Sequence, residues 1–198
     1  STLFPYTTLF RSPVASAGTV TTSEDTDYSG TLSASDVDGD ALIYSVLTSP
    51  VNGTIAITSS STGTYTYTPT ANYNGSDSFT FTASDGTLLD TATVSITVTA
   101  VNDAPVATAQ TITGTEDTDA TITLAGTDVD AGTTLSYIIS TLATTGALYQ
   151  TSDGTTKGDA ISTVPTTVTS STFQVIFTPV ANGNGSGYGN FGFKVNDG

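Results

Sequence analysis

Asp90–Pro105 reads DTATVSITVTAVNDAP. Within it, Thr93–Thr99 alternates Thr and Ser with Val94, Ile96 and Val98. A period of two marks a half-buried strand that keeps one face on a core. The run then passes through Asn102 and Asp103 to Pro105, a turn composition. Beyond it the chain starts again on a pattern already seen near its beginning.

SEDTD at Ser23–Asp27 returns as TEDTD at Thr115–Asp119, DVD at Asp36–Asp38 as Asp128–Asp130, and PVA at Pro13–Ala15 as Pro105–Ala107, always 92 positions on. Further along, YTP at Tyr67–Pro69 pairs with FTP at Phe177–Pro179 at a spacing of 110. The second copy therefore holds about 18 extra residues, placed within Gln150–Ser171 and expected to form a surface loop. FTFTASDG at Phe79–Gly86 pairs with FGFKVNDG at Phe191–Gly198. The first copy then runs into the Asp90 strand and the second stops at Gly198, so the second unit is expected to lack its last strand and the chain to be a fragment. The units are read as residues 13–102 and 103–198.

Other strands follow from the same alternation. Thr64–Thr68 places Tyr65 and Tyr67 on one face, and Ser78–Thr82 does so with Phe79 and Phe81. Gly18–Thr22, Tyr28–Ala34, Ala41–Leu47 and Gly53–Ile57 complete about seven strands per unit. Asp38-Gly39, Asn52-Gly53, Asn74-Gly75 and Asp85-Gly86 supply the turns. Short, evenly spaced strands with no helical period predict an all-β protein, two tandem Greek-key β-sandwiches of antiparallel strands. The four aromatics are expected to anchor the first core.

Composition narrows the function. The 198 residues carry 18 acidic and 3 basic side chains, a net charge of −15, and 36% apolar residues. Without Cys or His, disulfides, His triads and thiolate or His zinc sites are excluded. The scarcity of positive charge argues against nucleic acid, and no apolar run is long enough to insert in a membrane. So acidic a chain calls for counter-ions, and divalent cations fit best.

STLFPYTTLFRS, residues 1–12, stands apart, with three aromatics and Arg11. With suitable codons it matches a short-read sequencing adapter along its whole length. It lacks the basic-then-apolar layout of a signal peptide. Residues 1–12 are therefore read as an unstructured cloning or assembly artefact.

The acids cluster at turns: Glu24–Asp27, Asp36–Asp40, Asp85, Asn102-Asp103, Glu116–Asp119, Asp128–Asp130 and Asp197. In a sandwich these positions gather at the two poles, where carboxylates repel unless a cation lies among them. Asp36–Asp40 opens like an EF-hand loop, but Ala41 and Leu47 stand where that loop needs Gly and Glu, so it is not one. The order of an early Glu, a DxD turn, a late Asp before Gly, and VNDAP resembles the tandem cadherin-like repeats, Ig-like sandwiches, of large bacterial adhesins and extracellular proteins. In such arrays calcium binds where successive units meet. The resemblance implies a Ca2+ site from Glu24, Asn102, Asp103, Asp128, Asp130 and Asp197. It assigns Asp36, Asp38 and Asp85 to a broken junction above the first unit, and Glu116 to one below the second. Animal cadherins also carry a DRE motif; here Asp77 is the nearest match.

The function this implies is a structural and adhesive repeat array of a bacterial surface or secreted protein, extracellular, with calcium stiffening the junction. Its partners would be neighbouring repeats and a cell-surface protein or glycan. The alternative is a glycan-binding module that uses Tyr73, Tyr149 and Tyr188. An enzyme is not expected, because each eligible acid belongs to the repeated pattern. A Lys–Asn isopeptide is no repeat property, because the first unit has no Lys.

Overall fold

The computed structural model describes residues 11–198. The artefact reading of residues 1–12 falls mainly on residues 1–10, outside the described residues; Arg11 and Ser12 have no regular structure. The chain divides into two compact units, the first ending at Val101 and the second starting at Asn102. Every regular element among the described residues is a strand. No helix there is long and apolar enough to cross a membrane.

The first unit contains β1 (Val14–Ser16), β2 (Gly18–Ser23), β3 (Tyr28–Thr31), β4 (Ser33–Ser35), β5 (Ile43–Thr48), β6 (Gly53–Ser59), β7 (Thr64–Pro69), β8 (Gly75–Ser84) and β9 (Leu89–Thr99). One sheet runs β2-β9-β8-β5, the facing sheet runs β3-β7-β6, and β1 pairs with β4 in a short ribbon. β8 and β9 form a long hairpin from Ser84↔Leu89 to Gly75↔Val98. β2 lies parallel to β9, from Gly18↔Val94 to Ser23↔Thr99, which departs from the all-antiparallel expectation. The direction has a topological cause. β2 comes early and β9 closes the unit, and both run from the Ser84–Leu89 turn toward Thr99, so as neighbours they must be parallel.

The core follows the alternation. Tyr65, Tyr67, Phe79, Phe81, Val94, Ile96 and Val98 are all buried. Tyr65 meets Phe79 edge-on at 5.3 Å, a geometry that suits the ring quadrupoles. Asp77 is also buried, and it is well satisfied. It accepts from Tyr67 Oη at 2.9 Å and from the backbone N–H of Val51 and Asn52 at 3.1 and 3.0 Å. Burial first, and then the bond to Asp77, push the Tyr67 phenol well above its ordinary range.

The second unit contains β10 (Val106–Ala107), β11 (Ala120–Thr123), β12 (Gly126–Thr127), β13 (Ser136–Thr141), β14 (Ala147–Gln150), β15 (Ala160–Ile161), β16 (Thr166–Thr167), β17 (Gln174–Thr178) and β18 (Gly192–Asn196). Its sheets are β11-β17-β14-β15 and β16-β13-β18, with β10 and β12 as the ribbon. β11, β17 and β14 reproduce β3, β7 and β6; β13 and β18 reproduce β5 and β8. Among the described residues the second sandwich has no counterpart of β9. Gln110–Thr115, at the position of β2, forms no strand either. The extra residues are more than a loop: β15 and β16 each add a strand to one sheet edge, and Ile161 and Val168 enter the core. Ile161 and Val168 dock the insertion, while Val164 stays 40% exposed.

Candidate metal centre

The poles of the first unit are fixed by register. Ile43 pairs with Ser84, and Ser84 with Leu89, so the Asp36–Asp40 turn and the Asp85 turn share one end. Glu24 lies at the other end, where its N–H donates to Thr99 O at 2.9 Å.

At the first end, Asp36, Asp38 and Asp40 each bring a carboxylate oxygen within 4.8 Å of the others. Asp36 Oδ1 accepts from Asp38 N at 2.8 Å and from Asp40 N at 3.5 Å, which curls the turn around it. Asp36 Oδ2 is buried with no hydrogen-bond partner. Asp38 Oδ2 accepts from Arg11 N at 2.8 Å. The third acid of the cluster is Asp40, which the sequence reading left off its ligand set. The two-residue spacing of DVDGD was the available signal. Asp85 lies outside that cluster. Its Oδ1 accepts from Thr87 N and Leu88 N at 2.6 and 2.7 Å. Those two backbone bonds, Leu88 first, hold its carboxyl below the usual range.

The second unit repeats the arrangement. Asp130 N donates to Asp128 Oδ1 at 2.9 Å, and Asp128 Oδ2 is again buried without a partner. Asp103 N donates to Asp130 Oδ2 at 2.7 Å, the bond that Arg11 N makes to Asp38 in the first unit. Arg11 thus stands where the second unit has Asp103, 92 positions on. Asn102 Nδ2 donates to Asp197 Oδ2 at 2.5 Å. Asn102, Asp103, Asp128, Asp130 and Asp197 therefore share one end of the second unit. They do so through hydrogen bonds and not as a tight trio of carboxylates. Position 132, the counterpart of Asp40, is Gly.

The early glutamates sit at the opposite ends and differ. Glu24 is 3% exposed, and its Oε1 accepts from Val101 N at 2.6 Å. Glu116 is exposed and its Oε2 receives only a long 3.4 Å bond from Asn184 Nδ2. The difference traces to β9, whose end holds Glu24 and which has no counterpart in the second unit. Beside each glutamate a second device is duplicated. Asp25 Oδ1 accepts from Asn72 N at 3.0 Å, and Asp117 Oδ1 from Asn182 N at 2.7 Å. Asp77, the nearest match to DRE, faces inward and is occupied by the β5–β6 turn.

The candidate tyrosines are engaged. Tyr73 Oη donates to Ser76 O at 2.6 Å, Tyr149 lies 5.1 Å beneath Lys157 Nζ, and Tyr188 Oη accepts from Val180 N at 2.9 Å. Lys157 also pairs with Asp119 at 2.8 Å. Chemically, the DxD ends offer hard oxygen donors, and in each unit one buried carboxylate oxygen lacks a proton donor. A cation satisfies such an oxygen, and this donor set suits calcium.

Comparison with known proteins agrees with the fold. Residues 11–97 match the bacterial Ig domain. Human protocadherin-24 EC1-2 is similar in two crystal forms. One aligns at TM-score 0.53 and 14% identity over 95% of this chain and 94% of that one; the other aligns at 0.51 and 17% over 93% of each. The endo-fucoidan hydrolase MfFcnA9 of glycoside hydrolase family 107 matches at 28% identity and TM-score 0.38, over 44% of this chain. The chain spans only 16–27% of the length of the fucoidan hydrolases it matches. No curated protein matches the chain. Residues 90–198, more than half of the sequence, match the SibA-like immunoglobulin-like domain, and the chain belongs to that family.

Proposed function

We propose that this chain is a calcium-binding structural and adhesive segment of a bacterial surface or secreted protein, with no catalytic role. Calcium binds at the DxD end of each unit. At the linker it draws on Asn102, Asp103, Asp128, Asp130 and Asp197, and recruits Glu24 from the preceding unit, so that the junction stiffens. Asp36, Asp38 and Asp40, with Asp85 at the rim, form the corresponding site of the first unit. Glu116 serves a following unit.

One observation carries this reading. Asp36 Oδ2 and Asp128 Oδ2 occupy equivalent positions and are both buried without a partner. An unpaired oxygen repeated in this way suits a cation, because leaving a buried charged acceptor unsatisfied costs about 1–3 kcal/mol or more. The net charge of −15 adds a general pull on divalent ions. Val101, whose N–H binds Glu24, is followed directly by Asn102, so the linker itself connects the donors.

Calorimetric titration of the chain with calcium tests the proposal. Binding at about 10⁻⁴–10⁻³ M is expected, the range of extracellular modules. Small-angle scattering with and without chelator tests the stiffening. No heat at millimolar calcium, or an unchanged maximum dimension, removes the respective half.

A further inference from the structure

A cavity of about 180 Å³ opens on the flank of the first unit, between β2 and β3, which are edge strands of its two facing sheets. Tyr28 and Tyr65 line it with Thr31 and Ser33, over Phe81 and Val94. Among the described residues no charged side chain lines it.

The wall is built around a glycine. Gly30 in β3 stands opposite Tyr65 in β7. A Cβ on Gly30 would lie 2.8 Å from the Tyr65 hydroxyl and 2.8 Å from the Tyr28 ring, so a larger residue would displace both. Gly in a strand interior costs about 0.5–1 kcal/mol, and it marks places where another group must approach closely. The second unit shows that the fold does not require this arrangement. By the same register Tyr28, Gly30 and Tyr65 become Ala120, Ile122 and Val175. Ile122 and Val175 are buried and pack the same place with apolar side chains. The two phenols are an addition to the repeat.

Their oxygens are also unused. Tyr67 gives its hydroxyl to Asp77. Tyr65, two residues before it and only 3% exposed, has no hydrogen-bond partner for its hydroxyl among the described residues. That oxygen is not sealed in protein either, since the buried unpaired side-chain oxygens there belong to Asp36 and Asp128. It faces the cavity. Burial, and then the neighbouring Tyr28, push the Tyr65 phenol up to about 12, which keeps it a neutral donor.

We propose that this cavity is a binding site for one neutral sugar ring. The lining offers hydroxyls that both donate and accept, and apolar surface for the C–H faces of the ring. It offers nothing to a cation or an anion. The volume lies below the roughly 300–1,000 Å³ of sites for drug-sized ligands and well above the roughly 30 Å³ of one water. This gives the adhesive half of the function proposed above a ligand class, and it rests on that half alone.

The test follows backbone amide shifts of the full chain in chelator, so that the result is read independently of the cation sites. Methyl glycosides of neutral hexoses, deoxyhexoses and pentoses are added one at a time. At least one is expected to give saturable shifts confined to Gly18–Val20 and Tyr28–Ser33. Tyr65→Phe keeps the ring and removes the hydroxyl, and it should weaken that binding at least about fivefold, the worth of one hydrogen bond. Tyr28→Phe gives the same reading if Tyr65→Phe fails to fold. An oligosaccharide ending in the preferred sugar should shift the same amides if the source is a glycan; binding of the glycoside alone identifies a free sugar, and either keeps the ring in this site. Three results overturn the proposal: no saturable shift with any glycoside, equal shifts with glycerol, or undiminished binding by the folded Phe variants.

Discussion

Asp36 and Asp128, 92 positions apart, each fold Oδ1 back onto the N–H two residues on and leave Oδ2 buried and unpartnered. The same unpaired oxygen arises twice although the sequences around it differ. In the first unit the turn is completed by Asp40, and in the second by Gly132. The unpaired oxygen therefore belongs to the DxD turn itself.

Removing the carboxylate should separate metal binding from turn formation. Asp128→Ala loses the bond from Asp130 N, worth about 1 kcal/mol, but in chelator it also removes the unpaired Oδ2, so second-unit stability there should change little. With calcium in excess a gap should open. At 100 times the dissociation constant the ion adds about 2.7 kcal/mol to the wild type, and the variant should lose most of that. Thermal melts with and without calcium read the difference. An equal shift in both would show that Asp128 holds no ion.

Arg11 offers a gain-of-function test. Its backbone copies the bond of Asp103 N, but its side chain brings positive charge to the Asp36 end. Arg11→Asp exchanges a repelling charge for a possible ligand. At an effective dielectric of about 20 this should raise the affinity of that end roughly threefold to tenfold or more, and less so in high salt. Calorimetry should resolve it as the tightening of the weaker of two classes of site. An unchanged isotherm would place the ion elsewhere.

Much of this was legible in the residues, and the omissions have physical causes. Alternation at Thr64–Thr68 and Thr93–Thr99 identified strands because one face of each is buried. It could not show that β2 and β9 are parallel, since side-chain period is the same in both directions. The DxD turns were visible as acids at fixed spacing. The inward turn of Asp77 was not, because a carboxylate surrounded by Ser and Gly reads as surface until the donors Val51, Asn52 and Tyr67 are brought to it from elsewhere in the chain. Ile161 and Val168 were hidden in the same way, because the apolar residues of the insertion (Ile161, Val164 and Val168) do not alternate with polar ones.

Asp77 is accordingly predicted to matter for stability and not for metal. Asp77→Ala strands the Tyr67 hydroxyl and two backbone N–H groups in or near the core, at a cost of about 2–4 kcal/mol. Calcium affinity per folded molecule should stay unchanged. The Tyr67 phenol, freed of the neighbouring carboxylate, should titrate at lower pH than in the wild type. A fall in calcium affinity beyond the folding loss would return Asp77 to the ligand set.

Acid should act on the insertion in the second unit. Asp153 is held well below the usual carboxylate range, first by the Thr156 N–H, then by the Thr155 N–H and the Thr156 hydroxyl. A depressed folded-state pKa gives stability that is fully present above the unfolded value of about 3.9 and is lost as pH falls toward the folded one. Melting of the second unit in chelator should therefore be insensitive to pH near pH 7, where the Asp153 contribution is fully present, and should weaken below about pH 4. Asp153→Asn should flatten the acid side of that curve. If the variant and wild type lose stability in parallel, other carboxylates govern the acid limb.

The open edge of β18 sets the order in which the units unfold. Phe79 and Phe81 are sealed by β9, while Phe191 and Phe193 keep part of their surface in water. Full burial of a Phe contributes about 1.5–3 kcal/mol relative to exposure, so partial burial of two forfeits a sizeable share of that. The backbone loses as well, since Gln110–Thr115 and one edge of β18 make no ladder bonds. The second unit should therefore melt first. Amide exchange should run faster through Gly192–Asn196 than through Gly75–Ser84 by the same free-energy gap. Joining a copy of Thr87–Thr99 after Gly198 should close that gap if the missing strand is its cause. If the two hairpin regions already exchange alike without it, the unpaired edge costs less than its exposed aromatics imply, and the insertion strands β15 and β16 must offset it.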